Sequence, residues 1–126
     1  MTAKDLRPKN LNLFTMHFPI MAIISILHRL SGVILFLLIP FFLWVFQCSL
    51  STQQGFDDIV FFLSSGWVKF FLWLSLGALS YHMVAGARHL LMDLGIGESL
   101  QAGKLSSYIT IGISVVLFIL IGIWLW

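Results

Sequence analysis

Three long apolar stretches, separated by short polar runs, dominate the chain. Positions 30–47 hold no charged residue, and the apolar character reaches back to Phe18 apart from Ser25, His28 and Arg29. A second apolar run covers 56–87, opened by Asp57 and Asp58 and interrupted by Lys69; a third, 105–126, carries no charge. A helix needs about 20 mostly apolar residues to cross the hydrocarbon core. The first run therefore predicts a span over 21–47 and the third a span over 105–126. The second run exceeds one crossing and is punctuated by Ser64-Ser65-Gly66. It predicts a short interfacial helix over 56–64 and a crossing over 66–90, with Lys69 one turn inside and snorkelling to the headgroups. Residues 48–57 (CSLSTQQGFD) and 93–104 (DLGIGESLQAGK, with three glycines) then read as polar loops, and residues 1–20 as an amphiphilic arm containing Pro19. Backbone in lipid must satisfy its own hydrogen bonds, and runs this long and uniform do not form the strands of a barrel. The expected fold is all-α: a single membrane-anchor domain over 1–126 with three transmembrane helices.

Composition sharpens this. Of the 126 residues, 60% are hydrophobic and 10% charged, against roughly half and a quarter in soluble domains. The mean hydropathy is +1.01. A compact soluble domain could not bury so much apolar surface, which excludes a soluble enzyme and a disordered chain. A net charge of +2 is too small for a nucleic-acid surface. Cys48 is the one cysteine, so neither an intrachain disulfide nor a thiolate metal cluster is expected. The leading MTAKDLRPKN lacks the short apolar core of a signal peptide. The chain is expected to insert uncleaved into a bacterial inner membrane.

Lysine and arginine placement gives the orientation. The arm carries Lys4, Arg7 and Lys9, Arg29 lies at the base of the first span, and Arg88 and Lys104 flank the second loop, whereas the first loop has neither residue type. The N-terminus and second loop are expected in the cytoplasm and the C-terminus in the periplasm. Trp44, Trp67, Trp124 and Trp126 then fall together near the outer surface, as an interfacial aromatic belt.

Ionisable groups inside spans are costly and mark functional positions. Ser25, His28 and Arg29 occur in SILHRLSG, where spacings of three and four residues place them on one side of the first turns of span one, at the cytoplasmic boundary. His82, Arg88 and His89 occur in YHMVAGARHLLMD. Arg88 reads as a cationic anchor at the interface, and His82 lies about 9 Å deeper at helical rise. His82 and His89, seven residues apart, share a face with Gly86 between them, where a flat ligand could approach the backbone. His82 needs a partner for each ring nitrogen, either a hydrogen-bonding neighbour helix or a metal on one nitrogen and an acceptor on the other. His17 reads as interfacial, Cys48 and the five methionines as packing, and Ser64, Ser75 and Ser80 as bonded back within their helices.

The arm RPKNLNL, then FPIMAIISILHRLSGV, then SYHMVAGARHLLMDLG resemble the cytochrome b subunit of succinate dehydrogenase, the larger of its two membrane anchors. The likeness covers nearly the whole chain, and S-x-x-H-R-x-S-G followed by H-x-x-x-G-x-R-H is a specific pair of motifs. The resemblance implies a haem-binding helical bundle completed by a second small membrane anchor. It implies one haem b whose iron takes one histidine from each chain, here His82. It also implies a ubiquinone site at Ser25 and Arg29, beside an iron–sulfur subunit fed by a flavoprotein subunit that oxidises succinate. This chain itself would be non-catalytic. His28, Arg29 and His89 are the candidates to meet the haem propionates at the cytoplasmic edge, with Gly86 leaving room for the porphyrin. The second ligand is expected from the partner, because His28 and His89 read as too near the boundary to reach His82's depth. Tyr81 and Ser80 are candidates to orient the rings or contact the partner. A cofactor-free structural anchor, an anchor of a related fumarate reductase and a small proton-conducting transporter using His82 and Arg29 are the alternatives.

Overall fold

The computed structural model describes residues 16–126. Lys4, Arg7, Lys9 and the RPKNLNL run lie outside the described residues. Among the described residues four helices follow in order: α1 (Ile20–Ser51), α2 (Gln53–Ser64), α3 (Gly66–Asp93) and α4 (Leu100–Leu125). Of these, α1, α3 and α4 are long and apolar enough to cross a membrane. They pack antiparallel in sequence, with α3 in contact with both α1 and α4, and α2 folded back onto α1.

The predicted polar loops are mostly helix. Instead of a loop over 48–57, only Thr52 separates α1 from α2. Ser49 and Ser51 donate to the carbonyls of Phe46 and Cys48 three residues back, so these serines extend α1 by bonding its own backbone. Gln53 and Gln54 donate to Asp57 and Asp58 one turn on, which makes QQGFDD the polar face of a helix. Thr52 caps that helix by accepting from the Gly55 amide. The α1–α2 corner needs glycine at 55: a Cβ there would sit 2.6 Å from the Cys48 carbonyl. Ser65 is extended and breaks α2 from α3, as the sequence suggests.

The second loop also shrinks, from 93–104 to the residues between Asp93 and Leu100. Its turn uses Gly95 and Gly97, both with positive φ, and Ser99 caps α4 by accepting from the Ala102 amide. The 103–104 pair, which resembles loop, belongs to α4 because Gly103, Ser107, Thr110 and Ser114 recur at helical spacing and are all buried. At 1.5 Å per residue the 32 residues of α1 extend about 48 Å, well beyond a hydrocarbon core of about 30 Å.

The polarity of the bundle is inverted relative to a soluble protein. Among the described residues the buried apolar ones are Ile24, Ile59 and Ala85, whereas Ser31, Arg88, Ser107, Thr110 and Ser114 are buried polar ones. Large apolar side chains point outward on every helix, Phe61, Trp67 and Trp124 among the most exposed. Small and polar residues inside, bulky apolar ones outside, is the arrangement of helices packed in lipid, where van der Waals contact and interhelical hydrogen bonds drive association.

The α3–α4 contact shows this well. The Phe118 ring lies on Gly77, where any Cβ would collide with it. Trp73 stacks on Phe118 at 4.1 Å between ring centroids and donates its indole N–H to the Phe118 carbonyl at 2.9 Å. Gly122 underlies the same indole. Trp44, Trp67, Trp124 and Trp126 lie toward one end of the bundle, with Trp126 packed edge-on against Trp73.

Candidate cofactor site

The histidines of the two motifs meet on the seam between α1 and α3. His28 stacks on His82 with ring centroids 4.2 Å apart and planes 18° from parallel. His89 tilts against the other side of His28 at 5.1 Å. The seven-residue spacing of His82 and His89 thus brings both to one face, and His28 inserts between them from α1. His28 therefore lies level with the space between them, on the His89 side of His82.

Glycine allows this close approach. A Cβ at Gly86 would lie 3.2 Å from His28 Nε2, and one at Gly32 would lie 3.0 Å from His82 Cε1. The clearance at Gly86, expected to admit a porphyrin, is filled by the His28 ring. Tyr81 secures the seam by donating its hydroxyl to the Ile24 carbonyl at 2.9 Å. Ser80 bonds back to Gly77 within α3, as do Ser64 to Phe61 and Ser75 to Phe71 in their own helices.

Two nitrogens of this cluster are chemically distinct. His82 Nδ1 lies 3.0 Å from Ser31 Oγ and 3.2 Å from the His28 carbonyl. Nε2 of His82 makes no hydrogen bond among the described residues. Tying one imidazole nitrogen to an acceptor and leaving the other free is how a histidine is prepared for a metal. Nε2 of His28 is buried without a hydrogen-bond partner, alone in this among the buried side-chain polar atoms described. Such an atom costs about 1–3 kcal/mol. Ser31 and Gly32 have no role assigned by the sequence reading, although both stand in S-x-x-H-R-x-S-G, and Ser31 follows His28 by the three residues that place it one turn on. Among the described residues no group of three or more potential ligands is placed to hold a bare metal ion.

Ser25, His28 and Arg29 differ in exposure. His28 turns into the seam, Ser25 is half-buried and Arg29 is exposed. Neither Ser25 nor Arg29 uses its side chain in a hydrogen bond within the described residues.

Arg88 departs from its expected role. It is buried, not a surface anchor. Its Nε donates to Ser106 Oγ at 2.9 Å and its Nη2 to the Gly103 carbonyl at 3.2 Å. At position 88 the helix faces α4, six residues from a histidine that faces α1, and the polar start of α4 offers the guanidinium acceptors that lipid does not. Arg88 also lines a cavity of about 470 Å³ between α3 and α4, otherwise walled mainly by apolar side chains.

A sequence profile described as the succinate dehydrogenase/fumarate reductase transmembrane subunit matches residues 3–121. The succinate dehydrogenase cytochrome b556 subunit of Coxiella burnetii is 41% identical over 121 residues, covering 95% of this chain and 97% of that protein. The proteins of the same name from Rickettsia bellii and Paracoccus denitrificans are each 33% identical, over 117 and 115 residues, covering 91% and 90% of this chain and 90% and 88% of their own lengths.

Proposed function

The chain belongs to the succinate dehydrogenase/fumarate reductase transmembrane subunit family, and from that premise we propose that His82 ligates haem b and that Ser25 and Arg29 bind ubiquinone. The chain is a multi-pass membrane subunit of succinate dehydrogenase, a cytochrome b anchor that carries no dicarboxylate chemistry of its own. The three relatives described above are all succinate dehydrogenase subunits, which favours that complex over a fumarate reductase. Flavoprotein and iron–sulfur subunits are its soluble partners.

The observation that carries the haem assignment is the asymmetry of His82: Nδ1 is engaged by Ser31 and the His28 carbonyl, and Nε2 is left to bind iron. Haem b held by His82 and a second imidazole would supply a one-electron couple. His28, stacked face to face on His82, would not be that second imidazole. The other imidazole comes from a second small membrane anchor, which also covers apolar surface that this bundle leaves open.

The remaining residues divide by chemistry. His28, with an unsatisfied Nε2 inside the protein, and His89 beside it donate to haem propionates, and Arg29 is a third candidate for the same carboxylates. Ser25 and Arg29, one turn apart on α1, donate to the quinone. Its carbonyl oxygens become more negative on reduction, and donors fixed where water is scarce stabilise that charge. The chain sits in a bacterial inner membrane with its N-terminus in the cytoplasm and its C-terminus in the periplasm. Exposed Arg29 and Lys104 and the arm's cations support that orientation, while Arg88, engaged with α4, does not bear on it.

The test is a reduced-minus-oxidised spectrum of the whole complex extracted from membranes carrying His82→Leu. Loss or a marked shift of the b-type signal is expected. An unchanged low-spin spectrum places the ligand elsewhere.

A further inference from the structure

Several serines in this chain bond the carbonyl three residues back and do no more, as Ser49, Ser64 and Ser80 do. Ser31 differs. It donates to the His28 carbonyl at 2.8 Å, and the same oxygen lies 3.0 Å from His82 Nδ1 on the neighbouring helix. The protons in this triangle can be assigned. A carbonyl only accepts, and the single hydroxyl proton of Ser31 is already given to it. Toward His82, Ser31 Oγ is therefore an acceptor, and so is the His28 carbonyl at 3.2 Å. Both neighbours of Nδ1 being acceptors, Nδ1 carries the proton of the neutral ring, and Nε2 carries the lone pair.

We propose that Ser31 is a positioning residue that fixes His82 as its Nδ1–H tautomer and raises the basicity of Nε2 toward the haem iron. The proposal rests on the reading of His82 as the haem ligand. A single turn of α1, His28 to Ser31, provides both acceptors, so ring orientation is set by a rigid helix. Gly32 lets the ring lie flush against that turn, since a Cβ would approach His82 Cε1 to 3.0 Å. Ser31 is 6% exposed, so water does not replace its oxygen when it is removed. A ligand imidazole that gives its N–H to an acceptor donates more strongly to the metal and favours the ferric state. Losing the Ser31 oxygen then shifts the haem potential upward and loosens the haem.

The test uses the intact complex purified from membranes, with Ser31→Ala, Ser31→Thr and, as a control, Ser114→Ala. Ser114 is also buried and also bonds back along its helix, to Thr110. The readouts are haem per flavoprotein, the rate of haem transfer to an external haem-binding protein, and the potential from a redox titration. For Ser31→Ala the ferrous-to-ferric ratio at a fixed potential is expected to rise about threefold, or about 30 mV for a one-electron couple. Haem retention is expected to weaken about tenfold. Ser31→Thr keeps a hydroxyl able to bond the preceding turn and restores both values, and Ser114→Ala moves neither. If Ser31→Ala does not assemble, Ser31→Cys carries the test, since its sulfur accepts only weakly and gives a smaller upward shift. Unchanged potential and retention in the variant that assembles overturn the proposal, as does an equal shift in Ser114→Ala. These results are separable from failure of the haem assignment, in which His82→Leu itself leaves the spectrum intact.

Discussion

Against α4, α3 sets Trp73, Gly77 and Arg88; against α1 it sets Tyr81, His82 and Gly86. On the α4 side the indole donates to a carbonyl, and the guanidinium donates to a hydroxyl from Nε and to a carbonyl from Nη2. On the α1 side three imidazoles crowd together, and one buried nitrogen has no partner. Both seams rely on glycine for close approach, so packing does not distinguish them. Hydrogen-bond completeness does. Among the described residues the α4 seam leaves no buried side-chain polar atom unpaired, and the α1 seam leaves His28 Nε2.

Substitutions that separate the two seams test this contrast, and the largest effect is expected from His82→Leu. It removes the b-type signal from the assembled complex while leaving the α4 side untouched, as read from the spectrum and the subunit ratio together. Equal loss of haem and of assembly would show that the histidine seam is also what holds the helices together.

Ser25→Ala and Arg29→Leu come next. Succinate–quinone activity is expected to fall by about 100-fold, the order of effect of removing one donor from a site of developing negative charge. Succinate oxidation with a soluble dye acceptor should persist in the same membranes. Parallel loss of both activities would indicate misassembly.

Gly77→Ala attacks the other seam. Its methyl group meets the Phe118 ring, and overpacking of this kind costs about 1–3 kcal/mol. A lower melting temperature of the complex with an unaltered haem spectrum is expected, and a displaced spectrum would show that the seams are coupled through α3. The smallest effect belongs to Trp73→Phe. It keeps the stack on Phe118 but loses the indole bond to its carbonyl, a cost of about 1 kcal/mol, seen in the same melting curve and absent from the redox titration.

The sequence was most informative where one helix could be considered alone. The three crossings, the break at Ser65, the shared face of His82 and His89 and the back-bonding of Ser64, Ser75 and Ser80 follow from local spacing and composition. What it concealed depended on two helices at once. Arg88 reads as an anchor because its acceptors, Ser106 and Gly103, belong to α4. Gly86 reads as clearance for a ligand because the ring that fills it comes from α1. The polar runs 48–57 and 93–104 misled for a related reason: serine and glutamine can satisfy a helix or end it, and Ser49, Ser51, Gln53 and Gln54 do the former.

Arg88 has a consequence for how the chain is made. It lies in α3, the least apolar of the three crossings, together with His82 and His89. An arginine at the middle of a crossing raises the cost of entering the membrane by about 2.5–3.5 kcal/mol, less toward the ends. The groups that receive its guanidinium emerge from the ribosome only with the first turns of α4, just after the short turn at Gly95 and Gly97. Pairing with Ser106 and the Gly103 carbonyl offsets that cost, which favours insertion of α3 together with α4 as a helical hairpin.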